Sequence, residues 1–226
     1  MNFTKIRQKL AVHPIREIQF QTVTDSKIVE FDISSLIESQ TVAENIRTVQ
    51  KELPISLENY CNTNVKAWHS DYYTHLFTDK FNDLIEVIQT TCLNLFTVIP
   101  NHGKVDLKVV ELWTIIYKEN DHTRLHRHTD SFNSMQLSVV YFAHADEDAT
   151  PLVFYKDRGS EYKIEIIPKT GHLVCFPASM MHSVPTIKPG ETRICVSANL
   201  NFSITELNVE SIKDRNPNLK EKHEAS

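Results

Sequence analysis

A mainly β chain with helices packed on one side is what this sequence predicts, and three observations predict it. Between residues 104 and 202, short runs rich in Val, Ile, Phe and Tyr recur at the spacing of an antiparallel barrel or sandwich. Upstream of residue 103 the apolar residues recur instead at helical intervals. Neither an internal repeat nor a low-complexity block separates the two textures. With 226 residues, 41% of them hydrophobic, the chain holds enough apolar material for a single sizeable core.

Residues 15–33 alternate in two bursts around Thr24-Asp25-Ser26, the pattern of a hairpin. Ser34 or Ser35 is then placed to cap a helix reaching about Leu53, where Pro54 stops it. A loop-rich segment holds Trp68, Tyr72 and Tyr73, expected to pack the helical half against the β half. Within it His69 and His75 read as surface residues. Asp79 next caps an amphipathic helix with Phe81, Leu84, Ile85, Ile88, Cys92 and Leu95 at helical spacing. Strands are expected over 106–118, 135–144, 151–155, 162–168, 172–176, 181–187 and 192–202. The sum is one domain over residues 1–205: a helical N-terminal half (1–103) on one side of a double-stranded β-helix, a jelly-roll, cupin-like core (104–202). The charged stretch 206–226, nearly devoid of aromatics, reads as a flexible tail.

Composition excludes several classes. A formal net charge of −5 argues against a nucleic-acid binder, which is normally basic. No apolar run approaches the length that spans a membrane, and the start MNFTKIRQKL lacks the apolar stretch of a signal peptide. Cys61, Cys92, Cys175 and Cys195 have no CxxC spacing, so neither a zinc knuckle nor a disulfide framework is indicated, and a reducing cytoplasm is expected. Cys175 and Cys195 sit in apolar runs, as small buried thiols do.

The chemistry is concentrated in His128-Thr129-Asp130, His182 and Arg193. Residues i and i+2 of an extended segment point the same way, so His128 and Asp130 can ligate one ion together. His182 follows the run Leu173–Phe176 and the turn Pro177-Ala178-Ser179, placed to supply a third ligand. Two neutral imidazoles and a carboxylate suit Fe(II) and leave one face open. His126-Arg127-His128 is an equally valid same-face pair, with His122 close by. A His126/His128/His182 site would resemble that of a cupin, although the glutamate such a site expects is missing around Phe132, Asn133 and Ser134. The expected ligands are therefore His128, Asp130 and His182, with His126 as the alternative. Arg193 opens a strand whose alternation puts Arg193, Cys195 and Ser197 on one face, where a guanidinium can grip a carboxylate through paired hydrogen bonds.

Tyr117, His128-x-Asp130, Val139-Val140-Tyr141-Phe142, Gly171-x-Leu173-Val174-x-Phe176-Pro177, His182 and Arg193 together resemble the Fe(II)/2-oxoglutarate-dependent dioxygenases. Within that superfamily the chain looks most similar to the 2-oxoglutarate oxygenases found in phages and bacteria, and more distantly to prolyl hydroxylases. The resemblance covers roughly residues 104–202, with Lys66-Ala67-Trp68 a weaker echo upstream. It implies a double-stranded β-helix, iron held at the places of His128, Asp130 and His182, and Arg193 on the distal carboxylate of 2-oxoglutarate. It implies also that Tyr117 hydrogen-bonds that cosubstrate, a position where a core tyrosine is equally at home.

Two departures stand out. Many relatives carry a serine two residues after the arginine, where this chain has Cys195, so Ser197 becomes the expected hydroxyl partner. About three extra residues within Thr129–Gln136 keep the role of His126 open.

The resemblance implies hydroxylation of a protein side chain or small metabolite, with O2 and 2-oxoglutarate consumed, succinate and CO2 released, and ascorbate as a stimulant. A catalytically silent or cupin-like metal-binding β-domain acting as a binding module is the alternative. Substrate and oligomeric state are not written in these motifs. Glu119–Leu125 and His144–Thr150 are candidate lids, and the acidic run Asp146-Glu147-Asp148 reads most simply as a solvated hairpin turn.

Overall fold

The computed structural model describes residues 16–19, 27–52, 63–93, 104–128, 137–156, 159 and 161–206. Strands β1 (Arg16–Gln19) and β2 (Lys27–Asp32) pair antiparallel as the expected hairpin, whose turn at 24–26 lies outside the described residues. Helix α1 (Ser39–Glu52) starts later than a cap at Ser34 or Ser35 would give. The reason is local. Asp32 Oδ1 accepts the Ser34 N–H at 2.9 Å, and the N–H groups of Leu36 and Ile37 both turn back on the Ile33 carbonyl. That tight turn satisfies the backbone before the helix opens.

Two short strands, β3 (Val65–Lys66) and β4 (Trp68–His69), and a 3-10 turn at Thr74–Leu76 precede α2 (Asn82–Leu93). Phe81, Leu84, Ile88 and Cys92 are buried along one side of α2, as their spacing requires, while Leu95 lies outside the described residues. Then come β5 (Lys104–Tyr117), β6 (His122–His126), β7 (Leu137–His144), β8 (Leu152–Tyr155), β9 (Lys163–Ile166), β10 (His172–Pro177), β11 (Met181–Val184) and β12 (Arg193–Glu206). The tail beyond Glu206 lies outside the described residues; Glu206 itself, assigned to the tail by sequence, ends β12.

The strands form two antiparallel sheets. One runs β1-β2-β10-β7-β12-β5-β4, and the other β3-β6-β11-β8-β9. The seven-stranded sheet is apolar on both faces. Ile194, Val196, Ala198 and Leu200 of β12 face the helices together with Leu112 and Ile116 of β5. Their alternates, Cys195 with Trp113, Ile115 and Tyr117, face the second sheet. Burial on both sides is why these strands read as nearly continuous apolar runs. The helices close one face, and Ser39 Oγ hydrogen-bonds Tyr141 Oη at 2.9 Å to tie α1 to β7.

Strand β6 was expected as part of a lid over Glu119–Leu125. Instead it pairs with both β3 and β11. Its composition, His-Thr-Arg-Leu-His, hid it: Thr123 and His126 border the cavity and Arg124 is exposed, so no apolar period marks it. The second lid candidate, His144–Thr150, is fastened down. Asp146 Oδ2 accepts the Thr192 N–H at 3.1 Å, Thr170 Oγ1 accepts the Ala145 N–H at 3.0 Å, and Thr150 is held by Glu191. Asp148 is solvated beside Lys188, which fits the hairpin reading of the acidic run. Two other expectations fail. His69 is fully buried, its ring nitrogens engaging the Ser70 carbonyl and Thr63 Oγ1, and His75 is half-buried with Nδ1 enclosed. Among the described residues no helix is long and apolar enough to cross a membrane.

Gly171 sits where β10 begins, at φ +85°, and its carbonyl accepts the Ile33 N–H at 3.0 Å. A Cβ there would lie 2.8 Å from the Ser34 Cβ. The left-handed backbone alone costs an alanine about 1–2 kcal/mol. Gly171→Ala is therefore expected to lower the melting temperature by roughly 4–8 °C in a thermal melt, while a Gly190→Ala control, with open space around it, shows the backbone cost alone.

Candidate active site

The two long strands β5 and β12 build the floor of a cavity between the sheets. Their register pairs Arg193 with Tyr117, Cys195 with Ile115, Ser197 with Trp113 and Asn199 with Glu111. Because side chains alternate, every one of these points to the same side of the sheet. Arg193, Tyr117, Cys195, Ile115, Ser197 and Trp113 all line one cavity, which also receives His126, His128 and His182. Arg193, Cys195 and Ser197 thus share a face, as their spacing predicts.

The opposite wall is β6 and β11. His182 stands directly across from His126, yet Val184 stands across from Thr123, so β6 carries one residue more than its partner over this stretch. Such a bulge lets Thr123 and His126 both face inward although they are three residues apart. His128, two residues further on, joins them. The ring centroids of His126 and His182 are 4.2 Å apart, and each lies 5.0 Å from that of His128. One ligating atom from each of the three falls within 4.8 Å of the others.

Hydrogen bonds fix which nitrogen is free. His182 Nδ1 lies 2.9 Å from the Met180 carbonyl, and His126 Nδ1 lies 2.8 Å from the Arg124 carbonyl. A carbonyl only accepts, so both Nδ1 atoms carry the proton and Nε2 is left bare in each neutral ring. Burial keeps the rings neutral. It lowers the pKa of His126, pushes that of His128 down to about 3 with help from neighbouring His126, and holds His182 well below the usual range. His128 is further held by the Asn199 side chain and by stacking on Trp113, centroids 5.5 Å apart.

His128 Nε2 and His182 Nε2 are 3.2 Å apart. Two nitrogens on one divalent ion at about 2.0–2.1 Å would be separated by roughly 3.0–3.4 Å, so this donor pair fits a metal. With His182 Nε2 bare, a proton on His128 Nε2 bridges the pair in the metal-free protein, and a metal ion would take that proton's place. Of the expected ligands, His128 and His182 are brought together; Asp130 lies outside the described residues; His126, the alternative ligand, stands with them.

At the other end of the floor Arg193 is buried. Its Nη2 donates to the Thr150 carbonyl and lies 3.5 Å from Glu191 Oε1, while Nε is enclosed with no partner. Glu191 accepts from the Thr150 N–H at 3.0 Å and from Thr150 Oγ1 at 2.6 Å. The guanidinium lies 5.5 Å from the centroid of the Tyr117 ring and 6.0 Å from that of Phe142. Burial lowers its pKa and raises that of Tyr117, so the phenol stays protonated; Tyr117 Oη hydrogen-bonds Thr123 Oγ1 at 2.6 Å. The Cys195 thiol, pushed up to about 12 by burial, is inert beside them. A buried cation with an unused N–H in a cavity is fit for a carboxylate, and one opposite the imidazoles suits a ligand that bridges the two ends.

Sequence reasoning missed Trp113, Asn199, Thr150 and Glu191. The first two were within reach, because they share the inward parity of Tyr117 and Arg193. The Thr150–Glu191 contact joins residues 41 apart through a loop, and no local signal marks it. Trp68 and Tyr72 pack into the two cores, with Tyr72 edge-on to Trp113 at 5.2 Å, and Tyr73 remains half exposed.

A model of the 2OG-Fe(II) oxygenase superfamily matches residues 112–201, the segment that carries the histidines and Arg193. Among solved structures the fold is similar to that of a Pseudomonas putida prolyl-4-hydroxylase (TM-score 0.56, 13% identity, 77% of this chain and 91% of that one). It is similar also to the viral collagen prolyl hydroxylase of Paramecium bursaria Chlorella virus-1 (0.54, 13%, 76% and 94%). A third is the prolyl hydroxylase of Trichoplax adhaerens, solved with a hypoxia inducible factor peptide (0.52, 10%, 81% and 84%). At such identities the likeness is one of fold. No curated protein matches the sequence. The strands that build this cavity are thus the part of the chain that is similar to the 2OG-Fe(II) oxygenase superfamily, by sequence over residues 112–201 and by fold.

Proposed function

We propose that the protein is an Fe(II)- and 2-oxoglutarate-dependent dioxygenase that hydroxylates a protein side chain or a small metabolite. The observation that carries this reading is one cavity holding convergent neutral imidazoles at one place and a buried, incompletely bonded Arg193 at another. A silent binding module would have no need of both. His128 and His182 would hold the metal with Asp130 as the anionic third ligand, His126 being the alternative. Arg193 would take the distal carboxylate, with Tyr117 Oη beside it.

When bound, Fe(II) and 2-oxoglutarate supply the oxidising chemistry: O2 is reduced as the cosubstrate loses CO2 to give succinate, and one oxygen atom enters the substrate. The chain's own residues do the rest. Carbonyl bonds to Nδ1 hold His126 and His182 in the tautomer that presents Nε2. Phe154 and Phe176 pack against the His182 ring and keep that wall dry, which strengthens electrostatic contacts inside.

Anaerobic addition of Fe(II) and 2-oxoglutarate should produce a weak visible charge-transfer band, and its absence would refute the reading. Asp130→Ala should abolish iron binding while His126→Ala only weakens it; the reverse result would move the third ligand to His126. Because prolyl hydroxylases are among the structures of similar fold, proline-bearing peptides are the first substrates to screen for stimulated succinate release.

A further inference from the structure

Among the described residues, two buried donors of the cavity lining lack a partner, and Arg193 Nε is only one of them. The other is the indole N–H of Trp113. The ring is buried, stacked on His128 and met edge-on by Tyr72, so its orientation is fixed and its N–H is left enclosed. An unpartnered buried N–H is costly, and a site that carries one is commonly completed by a ligand. Trp113 faces Ser197 across the β5–β12 ladder, and no hydrogen bond engages the Ser197 hydroxyl among the described residues.

The strand geometry says which end of a ligand they meet. Ser197 is four residues from Arg193, about 13 Å along an extended strand, too far for both to hold one carboxylate. Next along the floor comes Asn199, whose side chain bonds His128. Trp113 and Ser197 therefore lie at the imidazole end. The other polar groups there are occupied: Ser138 Oγ donates to Asn199 Oδ1 at 2.7 Å, and Asn199 Nδ2 donates to Glu111 Oε2 at 2.7 Å.

We propose that Trp113 Nε1 and Ser197 Oγ are the donor pair for the oxo-acid head of 2-oxoglutarate, opposite the end held by Arg193. This rests on the cosubstrate reading above. It also moves Ser197 from the role of Arg193's partner to that of Trp113's. The pair orients the head group against the imidazoles, and Trp113 becomes a binding residue rather than core filling.

Trp113→Phe keeps the ring stacking and removes only the N–H; Ser197→Ala removes only the hydroxyl. Calorimetry with the anaerobic, Mn(II)-loaded protein should show 2-oxoglutarate binding weakened about 10–100-fold in each, consistent with loss of one hydrogen bond to a charged group. Mn(II) affinity should stay within about twofold. The Fe(II)–2-oxoglutarate band should also move to shorter wavelength, because a donor to the oxo acid stabilises the group that accepts the charge. Wild-type affinity in both variants overturns the assignment. Weakened binding with an unmoved band overturns the placement at the imidazole end. If Trp113→Phe does not fold, Ser197→Ala decides alone. Failure of the wild-type Mn(II) protein to bind 2-oxoglutarate at all instead sinks the cosubstrate reading.

Discussion

His182→Ala is expected to weaken Fe(II) binding by more than about 100-fold, beyond about 2.7 kcal/mol, and to abolish both the visible band and succinate release. His182 is the ligand common to every arrangement the site allows. It lies within 3.2 Å of His128 Nε2 and directly across from His126, so neither alternative third ligand can replace it. The fold should survive the change. His182 lines an existing cavity, and its loss costs the metal-free protein only one neutral hydrogen bond to His128 Nε2.

The metal-free protein should also show a characteristic pH response. The His128 and His182 pKa values are depressed in the folded state, mainly by burial, while the unfolded chain titrates near 6.5. Below about pH 6.5 the unfolded chain binds protons that the folded site refuses, so wild-type stability falls as pH is lowered and is flat above that range. His182→Ala removes one such group and should flatten the acid side of the curve. Anaerobic metal titration and a pH series of melts check both parts. Iron affinity equal to wild type would remove His182 from the ligand set.

The fold was largely legible in sequence because the strands it depends on are apolar on both faces. β5, β7, β10 and β12 pack against helices on one side and the second sheet on the other, and such runs stand out. β6 did not, because three of its five residues are His or Arg and the cavity it borders takes its Thr123 and His126. The same polarity makes it useful. Its bulge turns His126 inward beside the expected ligands, a consequence of register that HxH spacing alone does not contain. His69 shows the converse error: a histidine in a loop-rich stretch looks exposed, yet two local hydrogen bonds let it be fully buried. Arg193 was recognisable by position after His182. Its company was not, since Thr150 reaches it from the loop after β7 and Glu191 from the turn before β12.

That company determines what substitutions at Arg193 will do. Arg193→Ala is expected to destabilise the protein by about 3–5 kcal/mol, because it leaves Glu191 as a buried carboxylate without its cation. A fall in melting temperature of roughly 10 °C or more would follow, and lost activity in that variant would say nothing about the cosubstrate. Arg193→Lys separates the two roles. A lysine keeps a charge for Glu191 but lacks the planar fork that holds a carboxylate through two bonds. It should melt within a few degrees of wild type, yet raise the 2-oxoglutarate KM by about 10–100-fold. Metal affinity should be unchanged, since the imidazoles lie at the far end of the floor. Glu191→Gln completes the comparison: it keeps an oxygen for the Thr150 N–H and Oγ1 but withdraws the charge that competes for the guanidinium. A KM that falls in Glu191→Gln and rises in Arg193→Lys would identify Arg193 as the carboxylate's partner. An unaltered KM in a stable Arg193→Lys protein would instead confine the arginine to holding Thr150 and Glu191 in place.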